Sequence, residues 1–295
     1  MTDLVIGFAA NYDWPALEPF AVSLARSGYT GKKVLFAQKL TAEACEHLQE
    51  LGFELLPLPV LDYSDAQLPL GSFFAYVARF LLIHRYLYDH PQYRFVVTCD
   101  ARDVIFQSDP MVWLEKNIGD AGLVAASEYI YHWAQQGNTA WVKAGFQEVD
   151  SWMMSQIVYC SGFISGRAEY MKDLCLAIYL IGRHLTGKIW GADQPAYNAI
   201  MHQKPYADIT LVPTIDQGYC FNLCVVAFEE YRQSLLESPP PLVYGSTRTD
   251  GVNPPNMWDY DLADLKQFAV LHQYDRMPEL TQQIRSEYRL ATVAK

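Results

Sequence analysis

Short apolar runs alternate with amphipathic stretches over the first hundred residues of the chain. Leu4-Val-Ile-Gly-Phe-Ala is unbroken and apolar, which predicts a buried strand. Pro15 to Ser27 then sets Leu17, Phe20 and Leu24 on one face, with Gly28 just beyond, the pattern of a helix closed by glycine. Lys33-Val-Leu-Phe-Ala predicts a second strand, Ala42 to Leu51 a second helix ending at Gly52, and Phe53-Glu-Leu-Leu-Pro a third strand. Strand and helix in turn predict a doubly wound α/β sheet, whose ligands sit beyond the carboxyl ends of the strands where strand order reverses. The loop Ala9-Ala-Asn11-Tyr12-Asp13-Trp14 follows the first strand and falls at that edge.

Further along, Phe73 to Tyr88 is a strongly amphipathic helix, and Tyr93 to Thr98 a strand. Leu123-Val-Ala-Ala-Ser-Glu128 reads as the next strand, Val158 to Gly166 as a strand followed by a turn, and Ala168 to Thr186 and Ala192 to Gln203 as helices. Tyr129 to Trp152 is aromatic and irregular and predicts no element. Beyond Ile209-Thr-Leu-Val-Pro the chain is loop-rich, with Ser238-Pro-Pro-Pro-Leu-Val a stiff connector into a strand. With no internal repeat and no low-complexity linker, the pattern predicts one domain with an elaborated C-terminal half.

Composition narrows the class. The 295 residues are 51% hydrophobic and 19% charged, enough for a full core, and the net charge of −11 argues against broad electrostatic binding of nucleic acid. An anionic substrate would therefore need a local basic or metallic site. No segment reaches the roughly 18 uninterrupted apolar residues of a membrane span. The N-terminus carries an acid where a signal peptide wants positive charge. The six cysteines lack paired metal-type spacing beyond Cys220-x-x-x-Cys224, and Cys99 and Cys160 lie in strand-like runs that suit reduced core thiols. A cytoplasmic protein is expected.

The candidate chemistry begins at Phe95-Val-Val-Thr-Cys-Asp100-Ala-Arg-Asp103-Val-Ile-Phe-Gln-Ser-Asp109-Pro110. An apolar strand delivers acids at a rigid end, where Asp100 and Asp103 either hold a hard divalent cation or cap a turn, as Asp109-Pro110 does. Arg102 between them either pairs with one of the acids or reaches a phosphate. The pattern of a strand ending in a ligand-type residue recurs at Phe268-Ala-Val-Leu-His272. Two carboxylates and an imidazole suit Mn²⁺ better than Mg²⁺, which prefers an all-oxygen shell.

Asp100-x-x-Asp103-Val-Ile-Phe-Gln-x-Asp109-Pro110, with His272-Gln-Tyr-Asp-Arg near the end, resembles the GT-A-fold nucleotide-diphospho-sugar transferases. The style is that of retaining glycosyltransferases of the family-eight type and their bacterial relatives, and the likeness runs from the first strand to about Arg276. It implies a Rossmann-like doubly wound mixed sheet forming a single domain over 1–295, with a nucleotide-binding half over 1–125 and a donor-sugar and acceptor half over 126–295. It also implies a metal bound by the acids and the late histidine. The family motif is Asp-x-Asp, whereas this chain has Asp-x-x-Asp. Counting back from Asp109, Asp103 takes the place of the second acid and Ala101 that of the first, so Asp100 is left between metal and ribose.

Other segments agree with the resemblance. Tyr76-x-x-Arg79 shares one helix face and resembles the helix whose basic residue contacts the donor, although a surface ion pair would also account for Arg79. Ser161-Gly162-x-x-x-Gly166 resembles a turn that lets backbone approach the donor sugar. Gly191-Ala-Asp193-Gln194-Pro-Ala-Tyr-Asn198 resembles the helix start that faces the sugar; read locally, Asp193 is an N-cap and Pro195 a first-turn residue. Asn11 and Tyr12 resemble the segment that holds the base, where an aromatic can stack. Tyr131, Trp133, Trp141 and Trp152 suit either sugar faces or ordinary core.

The implied activity is metal-dependent transfer of a sugar from a nucleoside-diphosphate sugar to a carbohydrate or other hydroxyl acceptor. Asp193 and Gln194 would lie near the anomeric carbon, with configuration retained. No residue stands out as a covalent nucleophile, which favours attack by the acceptor on the leaving-group face. The rivals are a sugar-nucleotide hydrolase or pyrophosphorylase, and a non-catalytic nucleotide-sugar-binding protein on the same fold. A pyrophosphorylase usually needs a glycine-rich basic loop after the first strand, which Ala9-Ala-Asn-Tyr-Asp lacks.

Overall fold

The structure, a computed structural model, describes residues 2–57, 73–146, 151–185, 191–228 and 264–290. The chain opens as β1 (Thr2–Ala10), α1 (Trp14–Arg26), β2 (Lys32–Gln38), α2 (Ala42–Glu50) and β3 (Phe53–Pro57). Next come α3 (Phe73–Asp89), β4 (Tyr93–Asp100), β5 (Val104–Phe106), α4 (Pro110–Asn117) and β6 (Leu123–Tyr131). They are followed by α5 (Gln136–Gly145), α6 (Ser151–Met154), β7 (Ile157–Arg167), α7 (Ala168–Leu185) and α8 (Asp193–Met201). The described remainder holds β8 (Thr210–Leu211), β9 (Cys220–Asn222), α9 (Cys224–Ala227), β10 (Val270–His272) and α10 (Pro278–Glu287).

Local chemistry sets many of these boundaries. Asp13 caps α1 by accepting a hydrogen bond from the Ala16 amide at 3.1 Å, so the helix starts one residue before Pro15. Asp109 is the N-cap of α4, accepting from the Met111 amide at 2.8 Å, with Pro110 behind it as the first helical residue. The irregular stretch after Tyr129 folds as the end of β6, a 3-10 turn at His132–Ala134, and α5. The Gln135 side chain caps α5 by accepting from the Asn138 amide at 2.5 Å. The Ser238 to Val243 connector lies outside the described residues.

The main sheet has seven strands in the order β3-β2-β1-β4-β7-β6-β8. It is mixed: β3, β2, β1 and β4 run parallel, while β7 is antiparallel to both of its neighbours. Strand order reverses between β1 and β4, because the chain first builds outward through β2 and β3 and then returns to the other side of β1. A second sheet of three short strands, β5-β10-β9, packs beside it. In it His272 stands in register with Val104 on one side and Asn222 on the other.

Side chains that alternate along the strands feed a core on each face. Val5 and Ala9 join α1, α2, α4 and the small sheet, while Leu4 and Ile6 join α3, α7 and α8. Leu17, Phe20 and Leu24 of α1 are fully buried, each contributing about 1.5–3 kcal/mol. Among the described residues no helix is long and apolar enough to cross a membrane.

Candidate functional site

The segment Asp100 to Asp103 is a corner between the two sheets. β4 ends at Asp100 in the main sheet and β5 begins at Val104 in the small one, so the three intervening residues, Ala101, Arg102 and Asp103, turn the chain from one to the other. The corner is tied to the exit of β10. The Gln273 amide donates to the Asp103 carbonyl at 2.7 Å, and Tyr274 Oη donates to the Arg102 carbonyl at 3.0 Å. His272 thereby comes to face both acids. Its Nε2 lies 3.7 Å from Asp103 Oδ1 and 3.9 Å from Asp100 Oδ2, is buried, and has no hydrogen-bond partner.

The other ring nitrogen is engaged. Nδ1 lies 2.7 Å from Asn222 Oδ1, with Cys160 Sγ at 3.5 Å. Asn222 cannot turn its amide over, because its Nδ2 donates to the Ser127 carbonyl at 2.8 Å, an atom that only accepts. His272 Nδ1 therefore carries the proton, and Nε2 presents a lone pair to two carboxylates. Ligand atoms of the three residues all lie within 4.8 Å of one another. Metal–ligand bonds of about 2.1 Å place ligands roughly 3–4 Å apart, so the His272 separations are too long for hydrogen bonds and right for a shared cation. Burial pushes the Asp103 carboxyl above its ordinary range, His272 opposes the rise, and Asp100 and Asp275 add to it.

Gly162 completes the cradle. It lies mid-strand in β7, one step beyond the Cys99–Phe163 pair, and not at a turn as its Ser-Gly context suggests. A Cβ there would fall 2.5 Å from His272 Cε1, 2.7 Å from its Nε2 and 2.9 Å from Asp100 Oδ2. The glycine is needed for close approach of the imidazole and the carboxylate.

Arg79, on α3, joins Asp100 to Asp193. Its guanidinium is buried and bonds Asp100 Oδ1, Asp193 Oδ2 at 2.9 Å and the Ser161 carbonyl at 3.2 Å. Burial works against its charge, but the two carboxylates outweigh burial and raise its pKa. Asp193 is the first residue of α8, not its N-cap, which is Ala192. Its carboxylate turns inward to Arg79 and to Ser161 Oγ at 3.2 Å, and burial raises its pKa while Arg79 opposes. Gln194 accepts from the Ser161 amide at 2.7 Å and donates to Glu128 Oε1 at 3.2 Å.

All of these groups open on one cleft of about 550 Å³, at the strand-order reversal. Asn11, Tyr12, Tyr76, Arg79, Asp100, Arg102, Asp103, Gly162, Asp193, Gln194 and His272 all line it, so the residues that the sequence assigned to metal, nucleotide or donor sugar meet there. Asn11 takes the left-handed conformation that asparagine tolerates, with φ 58°. Tyr12 is half-buried, which raises its pKa, and Arg102 pairs with Asp275 at 3.0 Å and lies 3.7 Å from Asp103. Trp141 also lines the cleft, whereas Trp133 is 55% exposed and stacks on Tyr131.

Sequence reasoning passed over Glu128, Cys160, Asn138 and Arg276 on the cleft wall and Asn222 behind His272. Glu128 and Asn222 carry the same signal as Asp100 and His272, a polar residue ending an apolar run. Glu128 is buried and its pKa is pushed up to about 7 by burial, against hydrogen bonds from Cys160, Gln194 and Asn138.

No protein-family model matches the chain, and no curated protein sequence matches it. Solved structures do. The galactosyltransferase LgtC, solved with donor and acceptor sugar analogues, is 13% identical over 99% of this chain and 98% of its own, with a TM-score of 0.56. An active-site variant of LgtC with glutamine replaced by glutamate matches with the same values. The glycosyltransferase GlyE of Streptococcus pneumoniae TIGR4 is 14% identical over 97% of this chain and 60% of its own, with a TM-score of 0.52. The bifunctional glycosyltransferase WbbM is 12% identical over 92% of this chain and 45% of its own, with a TM-score of 0.54. The chain has the fold of these enzymes, the GT-A fold of nucleotide-sugar glycosyltransferases.

Proposed function

We propose that the chain is a glycosyltransferase that moves a sugar from a nucleoside-diphosphate sugar to a hydroxyl acceptor, using a divalent cation held by Asp103, His272 and Asp100. The observation that carries this reading is the unpartnered, buried Nε2 of His272 aimed between two carboxylates at the strand-order reversal of a glycosyltransferase fold. Two carboxylates and one imidazole favour Mn²⁺ over Mg²⁺. Bound there, the ion supplies positive charge for the diphosphate leaving group.

The chain's own residues do the rest of the work. Asn11, Tyr12 and Tyr76 form the wall that receives the nucleoside, with Tyr12 offering a ring face to the base. Arg102, 45% exposed, lies on the solvent side of Asp103 within reach of a phosphate. Asp193 and Gln194 bind the sugar from the opposite wall. Arg79 holds Asp100 and Asp193 in place through its guanidinium, and a carboxylate bound to a guanidinium is a weak nucleophile. That supports attack by the acceptor hydroxyl from the leaving-group side, with the anomeric configuration retained. LgtC has a glutamine in its active site, in keeping with a donor-site role for Gln194.

On this reading the domain spans the whole chain, with 1–125 as the nucleotide half and 126–295 as the sugar and acceptor half. Among the described residues none of the six cysteines forms a disulfide, which supports work in the reducing cytoplasm. The test is incubation with Mn²⁺ and a panel of nucleoside-diphosphate sugars, with and without candidate hydroxyl acceptors. Nucleotide release that requires the acceptor supports transfer. Release without acceptor would make the protein a hydrolase, and binding without turnover would make it a binding protein.

A further inference from the structure

Glu128 is a buried carboxyl on the cleft wall that neither the metal set nor the Arg79 hub uses. The groups that face it are Gln194 from α8, Asn138 from α5 and Cys160 from β7, and among the described residues none of them carries a charge. Burying a carboxyl without a cation is costly, and an apolar side chain at this place in β6 would avoid that cost. Its hydrogen bonds point to a purpose.

We propose that Glu128 is a positioning residue that fixes the side-chain amide of Gln194 against the cleft. The inference rests on the reading of Gln194 as a donor-site residue. The Ser161 amide can only donate, so the atom of Gln194 facing it at 2.7 Å must be Oε1. The other end of the amide, Nε2, is thereby turned onto Glu128 Oε1 at 3.2 Å. Strand β7 and Glu128 grip Gln194 from its two ends and leave its amide plane no second orientation. A reversed amide would set Nε2 against the Ser161 N–H, two donors face to face.

The same geometry says where a proton on Glu128 goes. Oε1 is occupied as the acceptor for Gln194, so the proton belongs on Oε2, which faces Asn138 Nδ2 at 3.3 Å. Asn138 then turns its amide to offer oxygen, while Gln194 stays in place. Gln194 is held in both states and more tightly when Glu128 is ionised, because a charged acceptor makes the stronger bond. Burial places that change of state near pH 7.

The test follows the Gln194 side-chain amide by ¹⁵N NMR of the whole protein, its signals identified by their loss in Gln194→Met. In the wild type both amide protons shift together with a midpoint near pH 7. In Glu128→Gln the shift with pH disappears, and in Glu128→Leu the signals move to the position of an unrestrained glutamine amide. Signals that do not titrate in the wild type, or that keep their wild-type position in Glu128→Leu, overturn the proposal. Should Glu128→Leu fail to fold, the titration in wild type and its loss in Glu128→Gln decide alone. In turnover, Glu128→Leu is expected to lower kcat by about 10–100-fold with donor KM little changed, as for loss of a supporting hydrogen bond. Glu128→Gln should recover part of that loss and show no limb near pH 7. The NMR readout needs no turnover, so a wild type inactive with every donor would contradict the transferase reading and leave the positioning of Gln194 decided separately.

Discussion

His272 Nε2 stands 3.7 Å from Asp103 Oδ1, buried and without a hydrogen-bond partner, because Asn222 has claimed the proton of the other ring nitrogen. At the proposed metal site, Asn222 would act on the cation through the imidazole. Asn222→Leu is expected to lower Mn²⁺ affinity about 10–100-fold, the usual effect of losing such a partner, while Asp100 and Asp103 remain. Isothermal titration with Mn²⁺ reads this directly. Unchanged affinity would mean that the tautomer is set by something other than Asn222.

Gly162 gives a steric prediction. A single methyl at this position meets the imidazole at 2.5 Å and the Asp100 carboxylate at 2.9 Å, so the two ligands must separate. Gly162→Ala should cost about 1–3 kcal/mol in stability. More tellingly, it should abolish the rise in Tm expected for the wild type on adding Mn²⁺. A variant that melts lower but keeps the Mn²⁺-induced rise would show that the cradle is not formed at Gly162.

Arg79 serves two acids at once. Removing its charge with Arg79→Met leaves the buried Asp193 without a cation and Asp100 without its partner, which should cost about 3–5 kcal/mol in urea unfolding. The added change Asp193→Asn removes the orphaned charge and should restore part of the loss. If the double variant were no more stable than the single one, the Arg79–Asp193 pair would not be what holds α3 to α8.

Glu128 makes stability depend on pH with a definite sign. Its folded pKa of about 7 lies above the ordinary 4.5, so the folded state binds this proton more tightly than the unfolded chain. The contribution is fully present below pH 4.5 and is lost as pH rises through 7. At about 1.4 kcal/mol per unit, the whole swing is roughly 3 kcal/mol. Because Gln cannot ionise, Glu128→Gln should gain stability relative to wild type between pH 5 and pH 8, measured by chemical denaturation at each pH. A difference between the two proteins that is flat with pH contradicts the raised pKa.

The parallel half of the sheet was legible in the sequence because its signals are local. The apolar run of β1, the helix face of Leu17, Phe20 and Leu24, and the glycines after α1 and α2 need no distant partner to be read. The small sheet left one trace, the apolar run Phe268-Ala-Val-Leu that ends at His272. Its strands are three residues each, too short to show a period, and they are stabilised by pairing Val104 with His272 across the length of the chain. Helix α5 was missed for a related reason, since its cap is a glutamine side chain and its sequence contains Gly137, Asn138 and Thr139. In the site, Asp100, Asp103 and His272 could be read as polar endings of apolar strands. Gly162 looked like a turn because the imidazole that forbids it a side chain arrives from a segment far away in sequence. Asp193 looked like a cap because its partner Arg79 lies on another helix. What the sequence lacks is the set of long-range neighbours that decides the use of each polar residue.

On the proposed function, Asp103 and its neighbours hold the cation that makes sugar transfer possible. The most direct test is the rate of nucleoside diphosphate release from a donor the wild type uses, with its acceptor, titrated with Mn²⁺ after treatment with a chelator. Asp103→Asn is followed in parallel, and its folding is checked by circular dichroism. A metal-dependent transferase gives no release without Mn²⁺, saturable recovery in the wild type, and a loss of at least about 100-fold in Asp103→Asn at every Mn²⁺ concentration. Release by the chelated wild type at its full rate, or an Asp103→Asn protein as active as wild type, would contradict the proposed function.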